Sequence, residues 1–115
     1  MHNNSQYKPI IDALVACAAE CEHCATACLQ EEDVKMMVRC IQLDRDCSAI
    51  CRTTADALAR NSDNAQVFLD ACAAICAACA EECEKHAGHM DHCRACAEAC
   101  RRCEEACRSL SGKIY

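Results

Sequence analysis

The stretch ACAAECEHCATAC, residues 16–28, carries cysteines at positions 17, 21, 24 and 28. The same spacing returns in ACAAICAACAEEC, residues 71–83, and in ACAEACRRCEEAC, residues 95–107. Steps of four, three and four residues put all four cysteines of a segment on one face of an α-helix. They also match the inward a and d positions of a helical bundle. Each segment therefore predicts a helix that turns a column of cysteines toward the place where Leu or Ile would ordinarily sit.

A fourth segment follows the template at Cys40, Cys47 and Cys51, with Asp44 where the remaining cysteine would be. Either Asp44 faces the core as a carboxylate, or a small rotation gives that position to Leu43. Cys17 to Cys72 and Cys40 to Cys96 are offset by nearly the same length, so the chain reads as two copies of one helical hairpin. One Pro, two Gly, no Trp and a single Phe among 115 residues, with abundant Ala, favour helix over sheet. Helices are expected at about 5–31, 33–60, 64–86 and 89–109. The first starts near Ser5 or Pro9, and Asp33 is the expected N-cap of the second. Asn61–Asn64 form the clearest turn, and Ser111–Tyr115 read as a loose tail. Short connections make neighbouring helices antiparallel. The expectation is an all-α fold, an antiparallel up-down-up-down four-helix bundle with a cysteine-lined core, forming one domain over residues 1–115. A long coiled coil or a dimerising hairpin fits four similar helices and short loops less well.

The net charge of −6, without a basic block, argues against nucleic acid and anionic membrane surfaces as partners. No stretch is apolar for long enough to span a bilayer. The opening MHNNSQYKPIIDALVAC lacks a basic start and a clean apolar run, and Asp12 interrupts it, so it does not read as a secretory signal. The expected location is the cytoplasm, where thiols stay reduced. A secreted disulfide scaffold would scatter its cysteines among loops, whereas these lie inside helices. No nucleophile–base constellation or phosphate loop is present, so no enzymatic activity is expected.

Buried free cysteine is often just a small apolar residue. That explains one or two positions, not sixteen in register. Thiolate-only surroundings select Cu(I), Zn(II) or an iron–sulfur cluster. Zinc prefers isolated tetrahedral sites joined by loops, and the C-x2-C-x2-C iron–sulfur signature is absent. Cu(I) accepts two or three thiolates, which a C-x3-C pair on successive turns can supply. The chain holds seven such pairs: Cys17/Cys21, Cys24/Cys28, Cys47/Cys51, Cys72/Cys76, Cys79/Cys83, Cys96/Cys100 and Cys103/Cys107. Adjacent pairs sharing thiolates would form a contiguous cluster of multiple Cu(I) ions. Without metal the thiols stay neutral, so the apo bundle is expected to fold.

Cys40 and Cys93 remain outside the pairs. The antiparallel topology puts both at one end, with Cys28 and Cys83. Met36 precedes Cys40 by four residues and His89 precedes Cys93 by four, while His86, Met90 and His92 gather at the same loop. This end is the expected copper mouth, where imidazole and thioether bind an incoming ion before the thiolates do. Ile10, Ile11, Leu14, Leu58, Phe68, Leu69 and Leu110 would close the opposite end. His23 and the EEDVK and EECEK runs read as solvated faces.

The repeated C-x3-C pairs on four helices, with His and Met at one end, resemble the copper storage proteins and specifically their cytosolic branch. The resemblance spans about Tyr7 to Leu110 and departs from a full cysteine column at Asp44. It implies a four-helix bundle that binds many Cu(I) ions internally and assembles as a homotetramer. The resulting expectation is a non-enzymatic protein that stores Cu(I), guards against copper toxicity and releases copper to a chaperone or small thiol ligand. The alternatives are an iron–sulfur or thiol redox protein and a metallothionein-like zinc buffer.

Overall fold

Pro9 lies in the first turn of α1 (Lys8–Cys28), where its missing N–H breaks no helical bond. This helix is the first of four in a computed structural model that describes residues 6–111. The others are α2 (Val38–Ala59), α3 (Ala65–Glu84) and α4 (Asp91–Leu110). An expected start at Ser5 and residues 112–115 of the expected loose tail lie outside the described residues.

The helix ends differ from the sequence expectation in ways that matter at the mouth. α1 stops at Cys28, short of the expected Glu31. Continuing would set Glu31, Glu32 and Asp33 against the negative end of the helix dipole. Instead the N–H groups of Leu29, Gln30 and Glu31 turn back to the carbonyls of Thr26, Ala27 and Cys28 at 3.1, 3.0 and 3.2 Å. The second expected helix is divided: Val34–Met37 form a 3-10 turn, and α2 begins at Val38. Asp33 makes no side-chain cap hydrogen bond. α3 ends at Glu84 rather than His86. Met90 is extended, and α4 starts at Asp91, whose carboxylate suits the positive end of the dipole. The Asn61–Asn64 turn is present, with Asn61 at φ 54° and the Ser62 N–H bonded to the Ala57 carbonyl at 2.9 Å. Asn is among the few residues that accept this left-handed conformation readily.

The helices pack in the cyclic order α1–α2–α3–α4, with α4 closing against α1. The bundle measures 51 × 19 × 18 Å. All sixteen cysteines have 0% exposure. Ala18, Ala73, Ala80 and Ala97 are buried beside them, small enough to let the helices approach. At the end away from the mouth, Leu14, Leu58 and Leu69 are fully buried, joined by Tyr7, with Ile10, Ile11 and Leu110 packed alongside. Phe68 is only half-buried. Fully buried Thr54 satisfies its hydroxyl by donating to the Phe68 carbonyl at 3.4 Å.

These three leucines hold most of the large aliphatic burial, so they should anchor the apo fold. Leu14→Ala, Leu58→Ala or Leu69→Ala is expected to destabilise it by about 2–5 kcal/mol in urea unfolding under reducing conditions. Val67→Ala, at a position 67% exposed, should change stability by no more than about 0.5 kcal/mol.

Candidate metal centre

The cysteine faces meet on the bundle axis. Near the apolar end, Cys51 Sγ stands 3.8 Å from each of Cys72, Cys76 and Cys103. One level further, Cys47 approaches Cys76 at 3.6 Å and both Cys17 and Cys100 at 3.9 Å. Cys21 then lies 3.7 Å from both Cys100 and Cys96. Toward the mouth, Cys40 is 3.6 Å from Cys83 and 4.0 Å from Cys28.

The C-x3-C pairs are not separate units in this array. Same-helix sulfurs in Cys24/Cys28, Cys47/Cys51, Cys72/Cys76 and Cys96/Cys100 lie 3.8–4.0 Å apart, no closer than sulfurs on different helices. Four-sulfur groups such as Cys17, Cys47, Cys51 and Cys76 draw on three helices, with all ligand atoms within 4.8 Å of one another. A metal–thiolate bond of about 2.3 Å spaces trigonal ligands by about 4 Å and tetrahedral ligands slightly less. The sulfurs already stand near those separations.

Asp44 faces this core and is fully buried; Leu43 packs at its edge. Its Oδ1 accepts from the thiols of Cys79, Cys96 and Cys83 at 3.2, 3.3 and 3.6 Å, and its Oδ2 from Cys40 at 3.9 Å. Burial, reinforced by the charges that Cys96, Cys79 and Cys40 would carry, pushes its pKa up to about 11. Burial alone thus favours the neutral acid over the carboxylate. Burial, with Cys40 and Cys93 as neighbours, likewise raises the Cys28 thiol well above its ordinary value.

At the mouth the structure separates the residues that sequence grouped together. His92 reaches the sulfurs: its Nδ1 lies 3.5 Å from Cys24, 3.6 Å from Cys93 and 3.9 Å from Cys28. Met90 Sδ is 4.0 Å from Cys93 Sγ. His86 turns instead to Glu82, at 3.3 Å, and His89 is exposed, its ring edge-on to His86 with centroids 6.4 Å apart. His89 precedes the start of α4, so the helical i,i+4 relation to Cys93 does not hold there. Met36 fails for the same reason: it sits in the 3-10 turn and is 55% exposed, while Met37 is fully buried in the core. Met37 is three residues before Cys40, a helical neighbour spacing that could have pointed to it.

The acidic runs are not wholly solvated either. Glu82 is buried between Arg39, Lys85 and His86, at 3.4, 3.1 and 3.3 Å. Glu31 Oε2 lies 2.9 Å from His92 Nε2. The two residues are 61 positions apart, so no local pattern announces that pair.

A family model described as copper storage protein matches residues 3–112. An uncharacterized cysteine-rich protein of Bacillus subtilis is 43% identical over 87 residues, covering 76% of this chain and 79% of that protein. The structure of a cytosolic copper storage protein from Streptomyces lividans, loaded with five coppers, aligns with a TM-score of 0.89 and 43% identity over 93% of this chain and 92% of that one. A Cu(I)-bound copper storage protein, BsCsp3, aligns with a TM-score of 0.87 and 40% identity, covering 92% and 98% of the two chains. Among the described residues, no helix is long and apolar enough to cross a membrane.

Asp44 has a measurable effect on the apo protein. Its carboxyl keeps a proton in the fold that the unfolded chain releases above about pH 4. Its contribution to stability is thus complete below the ordinary value of 3.8 and is lost as pH climbs toward about 11. Apo stability should fall between about pH 5 and pH 6.5, with Asp44 contributing up to about 1.4 kcal/mol per pH unit, below the range where the unfolded thiols ionise appreciably. Asp44→Asn should flatten that slope in urea unfolding, and an equal slope in the variant would mean a charged carboxylate in the core.

Proposed function

The chain belongs to the copper storage protein family, and from that premise we propose that it stores multiple Cu(I) ions in the cytosol on its core thiolates. The observation that carries this reading is the pair of buried sulfur runs, neighbour to neighbour at 3.6–4.0 Å, that together draw on all four helices and meet at Asp44. Such an array serves capacity. A redox or catalytic site would need one reactive pair and access for a substrate, so this reading is non-enzymatic.

The sixteen cysteines are the proposed ligands. His92 and Met90 are the proposed ligands at the mouth, where an ion meets nitrogen and thioether beside Cys24, Cys28 and Cys93. Cu(I) then moves inward as cargo. Each thiol that binds gives its proton to solvent, so cation replaces proton and the core avoids accumulating bare thiolates. Softness favours Cu(I) over harder ions at every level. Burial keeps bound ions from water and oxidants, which supports a protective role against copper toxicity. Release would reverse the path, to a copper chaperone or small thiol ligand arriving at the mouth. Homo-oligomeric assembly, as a tetramer, belongs to the same proposal, and exposed Val15, Leu29, Met36 and Val38 are apolar surface available to it.

Groups such as Cys51, Cys72, Cys76 and Cys103 also have the ligand number zinc prefers. Anaerobic Cu(I) titration against a chromogenic chelator, on apo and zinc-loaded protein, separates the readings. The expected capacity approaches the sixteen thiols per chain, with full displacement of zinc. A capacity of one or two ions, or zinc that resists Cu(I), would contradict copper storage.

A further inference from the structure

His92 is held at both ring nitrogens. Nδ1 faces Cys24, Cys28 and Cys93, and Nε2 meets Glu31 Oε2 at 2.9 Å. Glu31 comes from the turn after α1 and His92 from the first turn of α4, so their bond spans the two helices at the mouth. A neutral imidazole carries one N–H and one lone pair. An ionised carboxylate only accepts hydrogen bonds, so the proton facing Glu31 belongs on Nε2. The lone pair is then on Nδ1, directed at three thiols. The opposite tautomer would spend its Nδ1 hydrogen on sulfur, leave no nitrogen lone pair facing inward, and set the Nε2 lone pair against a carboxylate. The neighbouring carboxylate at this end is differently engaged: Glu82 is already shared by Arg39, Lys85 and His86.

We propose that Glu31 is a positioning residue for copper uptake, fixing His92 in the Nε2–H tautomer so that Nδ1, with the sulfurs of Cys24, Cys28 and Cys93, forms a ready site for the arriving Cu(I) ion. This inference rests on the storage reading. Its physical basis is general: a carboxylate that accepts the outer N–H of a ligating histidine orients the ring and raises its basicity. Glu31 itself does not touch the ion. Its side chain is 34% exposed and that of His92 14%, so the pair sits where the core meets solvent.

The test compares the unmutated protein with Glu31→Ala and Glu31→Gln. Gln keeps an oxygen that can accept the Nε2 hydrogen but loses the charge, whereas Ala loses both. Imidazole 15N shifts of the apo protein, read on the neutral ring, should show the Nε2–H form of His92 in the unmutated protein and in Glu31→Gln. Glu31→Ala should show a mixture. Stopped-flow uptake of a first Cu(I) equivalent from a chelator should slow about 10- to 100-fold in Glu31→Ala. Glu31→Gln should recover most of that loss, and all three proteins should reach the same final capacity. An unchanged tautomer and rate in Glu31→Ala would overturn the proposal. So would Glu31→Gln as slow as Glu31→Ala, because charge attraction alone would then explain the effect. A capacity of one or two ions in the unmutated protein would instead overturn the storage reading, while the apo shifts would still report whether Glu31 sets the tautomer.

Discussion

The bundle depends on keeping its sulfur buried and neutral until metal arrives. A protonated thiol enters a core almost as an apolar group does, but a bare thiolate in the same place is heavily penalised. Burial penalises the charged form, as at Cys28, where it pushes the thiol pKa up and favours the protonated state. Because binding exchanges a proton for a cation, the loaded core also avoids stacked negative charge. Straight helices with small flanking alanines are the scaffold this constraint permits, since loops would bring unsatisfied backbone groups into the same space.

That constraint gives the molecule an axis. At one end Leu14, Leu58 and Leu69 supply burial that does not depend on cargo, so the fold need not wait for copper. At the other, the sulfur run ends at a polar rim of Met90, His92 and Glu31. Asp44 lies on the mouth side of the core, among Cys40, Cys79, Cys83 and Cys96. Its oxygens are hard donors among soft sulfurs, and burial favours its uncharged form as it does that of a thiol.

The cysteine core was legible from the chain because steps of three and four residues are a property of the helix itself. The four helices, their antiparallel order and the placement of Cys28, Cys40, Cys83 and Cys93 at one end all follow from that spacing and the short turns. The pairing of sulfurs did not follow. Cys47 meets Cys17, Cys76 and Cys100 as closely as it meets Cys51, and such distances depend on how near the helices approach one another. Asp44 stood open between core and rim until the roll of α2 about its own axis was known.

Sequence by itself determined that a column of thiols lines the inward face of each helix, and hence that the core is built of soft donors. Only the tertiary structure decided what waits at the mouth. Residues 29–37 and 85–90 leave the α-helical repeat, so the spacing that placed every cysteine could not place Met36, His86 or His89. Met37 is buried in their place, and of the mouth histidines it is His92 that meets the thiols. The partner of His92 is Glu31, brought across 61 residues by the closure of α4 on α1. A contact of that kind is made by packing, and no local periodicity in the chain encodes it.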